Sequence, residues 1–380
     1  MNKNHKDILI INWRGFKDPL SGGAEVATME HAKRWVLNHG ANVTWLSPPP
    51  YSNAKNESLN GVEFVYLGKN LTRNVFTLFF KYIYFCFLVF LNYILKYKNS
   101  VDVVIDQVHG LPFLTPLYIK NKKIIMYIHE VAGEIWTKMY PFPLGFIGRL
   151  VEPLFFLPYK DIKVVTGTEY AKKDLINVGI PKKNINLIGY GITNPIAQKK
   201  PSKEKELTIV FLNRLVKMKR IELALDIFSE ILKKEPNAVF WVVGKGESDY
   251  IEFLKQKCID LKIQDNVKFW GFVDDKTKLD LLAKSTVLIN TSTKEGWGLV
   301  NIEANSQGTP VVAFDVAGNN ESIINGESGL LLPNNDSKGM IDSIFKIYKS
   351  QDTWYDSCLN HAKKFDWNDL SNKFYSEMLK

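Results

Sequence analysis

The chain has 380 residues, more than one hydrophobic core ordinarily serves, so its length predicts two domains. Its composition, with 46% hydrophobic and 23% charged residues, is that of a folded globular protein. The net charge of +9 favours an anionic partner, such as a nucleic acid, an anionic membrane surface or a sugar nucleotide.

Motif spacing, cysteine positions and the first apolar run restrict the possible partners and the cellular location. The chain has no zinc-finger spacing and no Lys/Arg-rich run long enough for a nucleic-acid tail, so we expect no nucleic-acid partner. Cys86, Cys258 and Cys358 stand far apart, which predicts a reducing compartment, no disulfide framework and no metal cluster. The first apolar run is too short for a signal peptide. These features predict a cytoplasmic protein.

The chain opens with a predicted strand, a loop and a helix. Residues 7–12 form a short apolar run typical of a buried strand. The following loop leads to Gly22 and Gly23, which begin a helical pattern that ends before Gly40. Glycines at such a point let the backbone approach a ligand, although a plain tight turn also needs glycine.

Two later strands of the first half end beside polar residues. The strands predicted after the first helix are 41–46, 62–67, 101–106, 123–128 and 162–166. His129 and Glu130 follow 123–128 directly, and His109 comes shortly after 101–106. In an open parallel sheet, residues just beyond the carboxyl ends of strands line the ligand crevice. These three side chains are therefore candidate site residues, and a histidine bonded to a nearby backbone group is the alternative.

Residues 75–97 form the most apolar stretch of the chain. Lys81 interrupts it and leaves 14 uncharged residues, fewer than the roughly 18 that a membrane-spanning helix needs. The pattern predicts a helix with three interpretations. In the first, which we favour, the helix packs under the first sheet. In the second it lies partly in a membrane interface, and in the third it crosses the membrane.

The charge pattern around this stretch favours contact with an anionic lipid surface. Between residues 64 and 129 the acidic residues are Asp102 and Asp106. A second apolar segment, 139–159, is also rich in aromatic residues and prolines and contains Arg149. The basic residues between 64 and 129 are Lys69, Arg73, Lys81, Lys96, Lys98, Lys120, Lys122 and Lys123.

The second half begins after a predicted linker at 196–206. A strand at 207–212 and a helix at about 221–234 flank a loop that carries Arg214 and Lys219. The two cations are five positions apart, so the loop can aim both at one point. Two solvated surface cations are the alternative interpretation.

Three further segments complete the predicted second sheet around its centre. The strand at 238–243 ends in a G-x-G turn that starts at Gly244, which is a weak signal by itself. Residues 267–273, which include Phe272, and residues 329–332 are also predicted as strands.

The stretch 286–314 reads as strand, glycine loop, helix and strand, which is half of a nucleotide-binding unit. Gly298 precedes the helix and lets the backbone come close to a ligand. The N–H groups of Leu299 and Val300 have no partner inside the helix, so they suit a phosphate. Glu303 lies one turn further, where a carboxylate can accept two hydrogen bonds from a ribose diol.

This stretch resembles a known family. A loop glutamate, Glu295, a glycine pair, Gly296 and Gly298, a second glutamate, Glu303, and then G-x-P-V look like the donor signature of family 4 of the retaining glycosyltransferases. The resemblance implies an α/β protein of GT-B architecture, with two Rossmann-like domains whose parallel sheets face each other across a cleft. Two solvated glutamates in an ordinary strand-to-helix turn are the alternative.

The resemblance also implies an activity. A sugar passes from a UDP-, GDP- or ADP-sugar to a hydroxyl of a lipid-linked or cell-surface glycan, as in lipopolysaccharide or other polysaccharide biosynthesis. The anomeric configuration is retained by attack on the face from which the phosphate leaves, without a covalent intermediate. No cofactor and no metal ion are implied. We expect a cytoplasmic enzyme, peripheral on the inner face of the membrane if its basic, aromatic N-terminal domain contacts lipid.

The resemblance assigns roles to individual residues. Arg214 and Lys219 bind the leaving diphosphate, Glu295 and His129 contact the sugar, and Glu303 holds the ribose. The other residues implied to bind the nucleotide sugar are Gly22, Gly23, Gly244, Phe272, Gly298, Leu299 and Val300. This chain departs from the family's pattern in two places, with Asn213 where relatives have glycine and Asn319 where they often have a second glycine.

The predicted domains are 1–195 on the acceptor side, the linker 196–206, the nucleotide-sugar domain 207–362, and a helix at 363–380 that crosses back to the first domain. Other functions remain open at this level. A sugar-nucleotide epimerase on the same fold would act without an acceptor, and a non-catalytic subunit would bind the donor and form no product. A basic nucleic-acid-binding protein is the third alternative.

Overall fold

The computed structural model describes residues 5–69 and 75–380, and for residues 75–79, 138 and 139 it describes only the backbone. The chain forms two compact units, each built on one sheet. The first unit contains the described residues up to Gly191 and the C-terminal Trp367–Lys380, and the second unit contains Ile192–Asp366.

The first unit contains an eight-stranded sheet. Its strands are β1 (Asp7–Asn12), β2 (Asn42–Ser47), β3 (Glu57–Leu59), β4 (Val62–Tyr66), β5 (Val103–Val108), β6 (Lys123–Ile128), β7 (Lys163–Thr166) and β8 (Ile185–Leu187). The strand order is β3-β4-β2-β1-β5-β6-β7-β8, and only the β3–β4 pair is antiparallel among the described strands. The winding direction therefore reverses between β1 and β5, where parallel sheets usually bind ligands.

The second unit contains a parallel sheet of six strands. They are β9 (Thr208–Leu212), β10 (Val239–Val243), β11 (Val267–Gly271), β12 (Val287–Asn290), β13 (Val311–Phe314) and β14 (Gly329–Leu332). Their order, β11-β10-β9-β12-β13-β14, is the Rossmann order 3-2-1-4-5-6 within this unit. Here the winding reverses between β9 and β12.

Helices connect the strands in both units. Those of the first unit are α1 (Gly23–His39), α2 (Val75–Asn92), α3 (Thr115–Tyr118), α4 (Ile135–Met139), α5 (Leu144–Phe156) and α6 (Glu169–Asn177). Those of the second unit are α7 (Ile221–Leu232), α8 (Ser248–Asp260), α9 (Asp275–Lys284), α10 (Leu299–Ser306), α11 (Asn319–Ser322), α12 (Ser337–Lys349) and α13 (Tyr355–Ala362). The last helix, α14 (Trp367–Phe374), belongs to the first unit, and π-helical turns at Tyr93–Tyr97 and Tyr375–Leu379 continue α2 and α14.

The first sheet is covered on both faces, which is why its strands are apolar nearly throughout. Side chains alternate along a strand, so Ile8 and Ile10 pack with Trp35 of α1 and Phe374 of α14. The opposite face packs against α2 and α5. Buried residues on that side include Leu9, Ile11, Phe85 and Val89 in one cluster and Met126, Ile128, Phe156 and Tyr159 in the next.

The sequence left open whether residues 75–97 pack under the first sheet or contact a membrane, and the structure shows how α2 packs. Phe85, Val89, Tyr93 and Tyr97 are buried against the sheet, so the helix packs on the first unit as we favoured. The segment Phe80–Tyr97 is also the one described helix that could cross a membrane by length and composition alone. Arg73, counted in the basic pattern, lies outside the described residues.

Residues 57–59, for which no strand was predicted between 41–46 and 62–67, form β3. The strand pairs with β4 around Asn60 and Gly61, which both have positive φ, of 53° and 80°. Asn-Gly is the strongest short signal for such a hairpin. Three residues are too few for the alternation that reveals a strand in sequence.

The segment predicted as a linker, 196–206, makes contacts within the second unit. The Ala197 N–H donates to the Ser306 carbonyl at 2.8 Å, and Lys203 Nζ donates to Thr309 Oγ1 at 2.6 Å. Burial lowers the pKa of Lys203 to about 7.

Candidate functional site

The loops after β9, β12 and β13 meet at one edge of the second sheet, because these three strands are neighbours. Backbone hydrogen bonds join the loops. The Thr293 N–H donates to the Met218 carbonyl at 3.0 Å, and the Glu295 N–H donates to the Ala317 carbonyl at 2.9 Å. The predicted residues Arg214, Lys219 and Glu295 therefore stand on loops that are fixed to one another.

Lys219 and Glu295 form a buried ion pair at this edge. Lys219 Nζ lies 2.6 Å from Glu295 Oε2, and the two residues are only 5% and 9% exposed. The other carboxylate oxygen, Oε1, accepts hydrogen bonds from Ser292 Oγ at 2.6 Å and Asn213 Nδ2 at 3.1 Å. Both ionic groups are thus held in place and neutralise each other when no ligand is bound.

Arg214 has a different environment from Lys219. It is exposed, and within the described part of the chain its guanidinium donates no hydrogen bond. Asn213 Oδ1 accepts from the Arg214 N–H at 3.0 Å while its amide nitrogen donates to Glu295. Asn213, which stands where the family that the sequence resembles has glycine, therefore links the cationic loop to the buried carboxylate, a role that the sequence did not reveal.

Gly244 is required by the close approach of two loops. Its φ is +144°, and a Cβ atom on it would lie 1.8 Å from the Asn213 carbonyl oxygen. Glycine here lets the chain after β10 pass beside the loop that carries Arg214. Phe272, the predicted nucleobase-side residue, is 71% exposed, and Lys245 Nζ lies 4.3 Å from its ring centroid.

Gly298 begins helix α10 in the left-handed conformation. Its φ is +74°, and a Cβ atom would meet Ser322 Oγ at 2.5 Å and Asn301 Nδ2 at 2.6 Å. Among the residues that the structure describes, no protein acceptor receives the N–H groups of Leu299 and Val300. Two backbone donors thus remain available at the positive end of the helix dipole.

A network of buried amides supports this helix start. Asn290 Nδ2 donates to Asn301 Oδ1 at 3.1 Å and to Asn319 Oδ1 at 3.0 Å, and Asn301 Nδ2 donates to Ser322 Oγ at 2.9 Å. All four residues are at least 97% buried. Asn319, the second departure from the family's pattern, is therefore a central member of the network that fixes α10.

Glu303 lies on the second turn of α10 and is held on one side. Its Oε1 accepts from Lys278 Nζ at 2.8 Å and from Asn194 Nδ2 at 2.9 Å. Within the described ranges no hydrogen bond reaches Oε2, and 17% of the side chain is exposed. Lys278 and Asn194 orient the carboxylate and leave one oxygen for a further donor.

In the first unit, His129 follows β6 as predicted and is neutral. Its Nδ1 lies 2.6 Å from the Tyr190 hydroxyl, and its Nε2 is buried without a hydrogen-bond partner among the described residues. Burial, together with repulsion from His109, lowers the pKa of His129 to about 3. The ring can therefore exchange hydrogen bonds near neutral pH but carries no charge.

His109 and the Gly22-Gly23 turn meet at Glu25. His109 Nε2 lies 2.5 Å from Glu25 Oε1, and the Gly22 N–H donates to Glu25 Oε2 at 2.7 Å. A Cβ atom on Gly23 would meet nothing within 4 Å, so this turn faces open space. Glu25 was not a predicted site residue, although its position three residues after Gly22 is the capping-box spacing.

The exposed Glu130 has no comparable partner in the described part of the chain. The structure therefore brings the predicted residues together in two groups. Arg214, Lys219, Glu295 and the start of α10 with Glu303 form the group in the second unit, and His129 with His109 and the Gly22-Gly23 turn forms the group in the first.

Residues 193–365 match the family of group 1 glycosyl transferases. The match covers nearly all of the second unit and a little less than half of the chain. It contains the whole group of predicted residues around Lys219 and Glu295.

Curated relatives support the group 1 match. The chain is 30% identical over 161 residues to the poly(glycerol-phosphate) alpha-glucosyltransferase of Bacillus subtilis, which covers 42% of this chain and 23% of that protein. This chain also spans less than two thirds of the length of several other curated relatives.

Two solved structures establish the fold. A glycosyltransferase from Rickettsia africae superposes with a TM-score of 0.74 at 19% identity over 100% of both chains. Anabaena Alr3699/HepE, solved with UDP and glucose, superposes with a TM-score of 0.67 at 17% identity over 98% of this chain and 99% of that one. The fold is that of the GT-B glycosyltransferases, so the predicted fold class is confirmed.

Proposed function

We propose that the protein transfers a sugar from a nucleoside diphosphate sugar to an acceptor hydroxyl. The observation that carries the proposal is the buried Lys219–Glu295 pair beside the start of α10, at the edge of the sheet where parallel folds bind ligands. Gly318 joins the two features, since a Cβ atom on it would lie 2.6 Å from Glu295 Cβ and its carbonyl oxygen lies 3.2 Å from the Cβ position of Gly298. The group 1 match spans all of these residues.

The donor diphosphate is proposed to bind where cations and N–H groups converge. Negative charge grows on the leaving phosphates as the bond to the sugar breaks, and the exposed Arg214 with the N–H groups of Leu299 and Val300 can stabilise it. Lys219 then exchanges its carboxylate partner for a phosphate oxygen. Glu295, released from Lys219, accepts hydrogen bonds from the sugar hydroxyls.

The nucleoside is proposed to be held through its ribose. Glu303 offers Oε2 to the ribose diol, because Lys278 and Asn194 already occupy Oε1. A carboxylate that is oriented before binding loses less freedom when the ligand arrives. Phe272 and the Gly22-Gly23 turn are the remaining candidate contacts for the donor.

We propose transfer with retention, as in family 4, without a metal ion or a covalent glycosyl-enzyme intermediate. The acceptor oxygen attacks the anomeric carbon on the face from which the diphosphate departs, and a leaving phosphate oxygen takes the proton of the acceptor. The chain's own cations and amides supply the positive charge for this step. The neutral His129 serves as a hydrogen-bonding contact for a sugar hydroxyl rather than as a cation.

The substrates are proposed from the relatives. The Anabaena structure holds UDP and glucose, which supports a UDP-sugar donor before GDP- or ADP-sugars. The Bacillus relative is named for glucosyl transfer to poly(glycerol-phosphate), which supports a hexosyl donor and a polymer hydroxyl as acceptor. A cell-surface or lipid-linked glycan, which the resemblance to family 4 implies, is our proposed acceptor. We place the enzyme in the cytoplasm, where nucleotide sugars are made.

The first test is a thermal-shift panel of UDP-, GDP- and ADP-sugars, since ligand stabilisation rises with the logarithm of concentration over Kd. Release of nucleoside diphosphate that requires a glycan-lipid extract would support transfer. An epimerised sugar nucleotide formed without any acceptor would point to the epimerase instead. Donor binding with no product from any acceptor extract would point to a non-catalytic subunit.

Two substitutions test the assigned roles. Glu303→Ala should weaken donor binding by about 1–3 kcal/mol, because a charged hydrogen bond to the ribose is lost. Arg214→Ala should lower kcat more than donor affinity, because its cation acts on charge that develops during reaction. Titration calorimetry and steady-state kinetics measure the two effects, with the exposed Glu230→Ala as control. Equal losses of binding and turnover in both variants would contradict the assignment.

A further inference from the structure

Helix α5 is arranged with its apolar side outward. Its buried residues are Gly145, Glu152 and Phe156. The apolar residues on its exposed side are Leu144, Phe146, Ile147, Leu150 and Leu154. A helix on a soluble protein normally turns its apolar stripe to the core and its polar residues to water. The outer face of α5 therefore suits an apolar environment.

The buried side of α5 explains why a glutamate points inward. Glu152 Oε1 and Oε2 accept from the N–H groups of Ala132 and Gly133 at 2.9 and 2.8 Å. Gly145 packs against α4, where a Cβ atom would lie 2.6 Å from the Tyr140 carbonyl oxygen. The inward face thus holds the loop that follows His129, and the outward face is left with the large apolar side chains.

Helix α2 repeats the arrangement on the same side of the first sheet. Its buried stripe covers the sheet. The apolar residues that it exposes, with those of its π-helical turn, include Phe80, Ile83, Tyr84, Phe87, Phe90, Ile94 and Leu95. Helix α3 lies between α2 and α5. Phe90 contacts Tyr118 with ring centroids 5.3 Å apart, and the Thr115 N–H donates to the Tyr159 hydroxyl at 3.1 Å. Through these contacts the three helices form one layer. Leu117 of α3 is also exposed. The outer face of this layer, formed by the exposed side chains of the three helices and of the π-helical turn of α2, is here called the α2–α3–α5 surface.

The exposed charged residues within the helices of the α2–α3–α5 surface are positive. The helices and the π-helical turn of α2 contain a single acid, Glu152, which is buried and bound to backbone N–H groups. Lys96 and Arg149 are exposed within them, and Lys98 and Lys120 are exposed just beyond their ends, while the exposed Lys160 after α5 is followed by the exposed Asp161. Exposed aromatic and aliphatic side chains beside cations complement an anionic lipid headgroup layer with acyl chains beneath it.

We propose that the α2–α3–α5 surface seats the first unit on an anionic lipid bilayer. The apolar side chains of α2 and α5 enter the boundary between headgroups and acyl chains, and Lys96 and Arg149 contact lipid phosphates. Helix α2 lies along the membrane and does not cross it, because one side of it is packed on the sheet. The bilayer would then lie beside the loop that Glu152 holds after His129.

Vesicle flotation tests this proposal with the full chain. The protein should float with vesicles of phosphatidylcholine and phosphatidylglycerol and bind less to phosphatidylcholine alone. Leu95→Gln combined with Leu150→Gln should lower the partition coefficient by at least about tenfold. Leu37→Gln is the matched control for Leu95→Gln, since both leucines are 82% exposed and Leu37 lies on α1, over the other sheet face.

The cations are tested separately. Lys96→Gln and Arg149→Gln should each lower binding to the anionic vesicles by about fivefold, and added salt should have the same direction of effect. Lys338→Gln and Lys349→Gln, on α12 of the second unit, remove as much charge elsewhere and should leave binding unchanged. Circular dichroism melts confirm that each variant is folded.

Three outcomes would overturn the proposal. The wild-type chain fails to float with either vesicle, Leu37→Gln lowers binding as much as Leu95→Gln, or sedimentation shows a dimer that Leu95→Gln dissociates while vesicles bind nothing. The last result would assign the surface to a second copy of the chain. No nucleotide sugar enters the assay, so its outcome is independent of the proposed transfer.

Discussion

At the residue scale, the Lys219–Glu295 pair depends on the polar groups around it. A buried carboxylate is tolerated because Lys219, Ser292 and Asn213 all donate to it. The pair therefore links two loops of the folded protein. It also supplies the proposed donor-binding groups, the Lys219 cation for the diphosphate and the Glu295 carboxylate for the sugar hydroxyls. These two roles can be separated by mutation.

Lys219→Met should lower the free energy of unfolding by about 3–5 kcal/mol, because it leaves the Glu295 carboxylate buried without its cation. Adding Glu295→Gln should restore most of the stability, since the amide oxygen still accepts from Ser292 and Asn213. Sugar transfer should stay absent in the double variant. Urea unfolding and the nucleoside diphosphate assay measure the two effects. A single variant as stable as the wild type would show that the pair adds little to folding.

At the element scale, the start of α10 is fixed by the packing beneath it. Gly298 adopts a left-handed conformation over Asn301 and Ser322, and the amide network behind them is fully buried. The N–H groups of the first turn are therefore fixed in direction before any ligand binds. Such preorganisation is what an anion site needs from a helix start.

Gly298→Ala should destabilise the protein by at least about 2 kcal/mol, because it adds a left-handed alanine and a Cβ atom that overlaps two side chains. Gly296→Ala is the matched control in the same loop. A Cβ atom there meets nothing within 4 Å, so the change should stay within about 0.5 kcal/mol. Thermal melts with and without the best donor measure both. Equal effects of the two substitutions would refute this account of the loop.

At the scale of the whole molecule, the end of the chain completes the first unit. Phe374 and Tyr375 belong to the same buried cluster as Trp35 of α1, and Phe374 stands edge-on to that indole with centroids 5.0 Å apart. The C-terminal segment therefore belongs energetically to the domain that the chain left at Gly191.

Phe374→Ala should lower the free energy of unfolding by about 3–5 kcal/mol, because it replaces a large buried aromatic ring by a cavity. The loss should appear in the first unit, as faster hydrogen exchange in β1 and β5 than in β9 and β12. Glu377→Ala, an exposed change in the same segment, should have no such effect. If Phe374→Ala instead accelerated hydrogen exchange equally in both sheets, the two units would unfold as one.

Local patterns in the sequence predicted much of this architecture. Apolar runs of strand length, the glycines that open α1 and α10, and the order of strands and helices carried the α/β class, and the solved structures confirm it. β3 was missed because three residues show no period, although Asn60-Gly61 was its signal. The roles assigned to individual site residues stay predictions.

By itself the sequence determined where many of the strands, glycine turns and helices begin, since these depend on residues within a few positions of one another. Only the tertiary structure decided that Lys219 meets Glu295, that Asn213 joins them, and that Lys278 and Asn194 share one oxygen of Glu303. It also decided that α2 and α5 cover one sheet face and turn apolar residues outward. Strand order and helix packing bring such residues together across long stretches of chain, and no local period records that proximity.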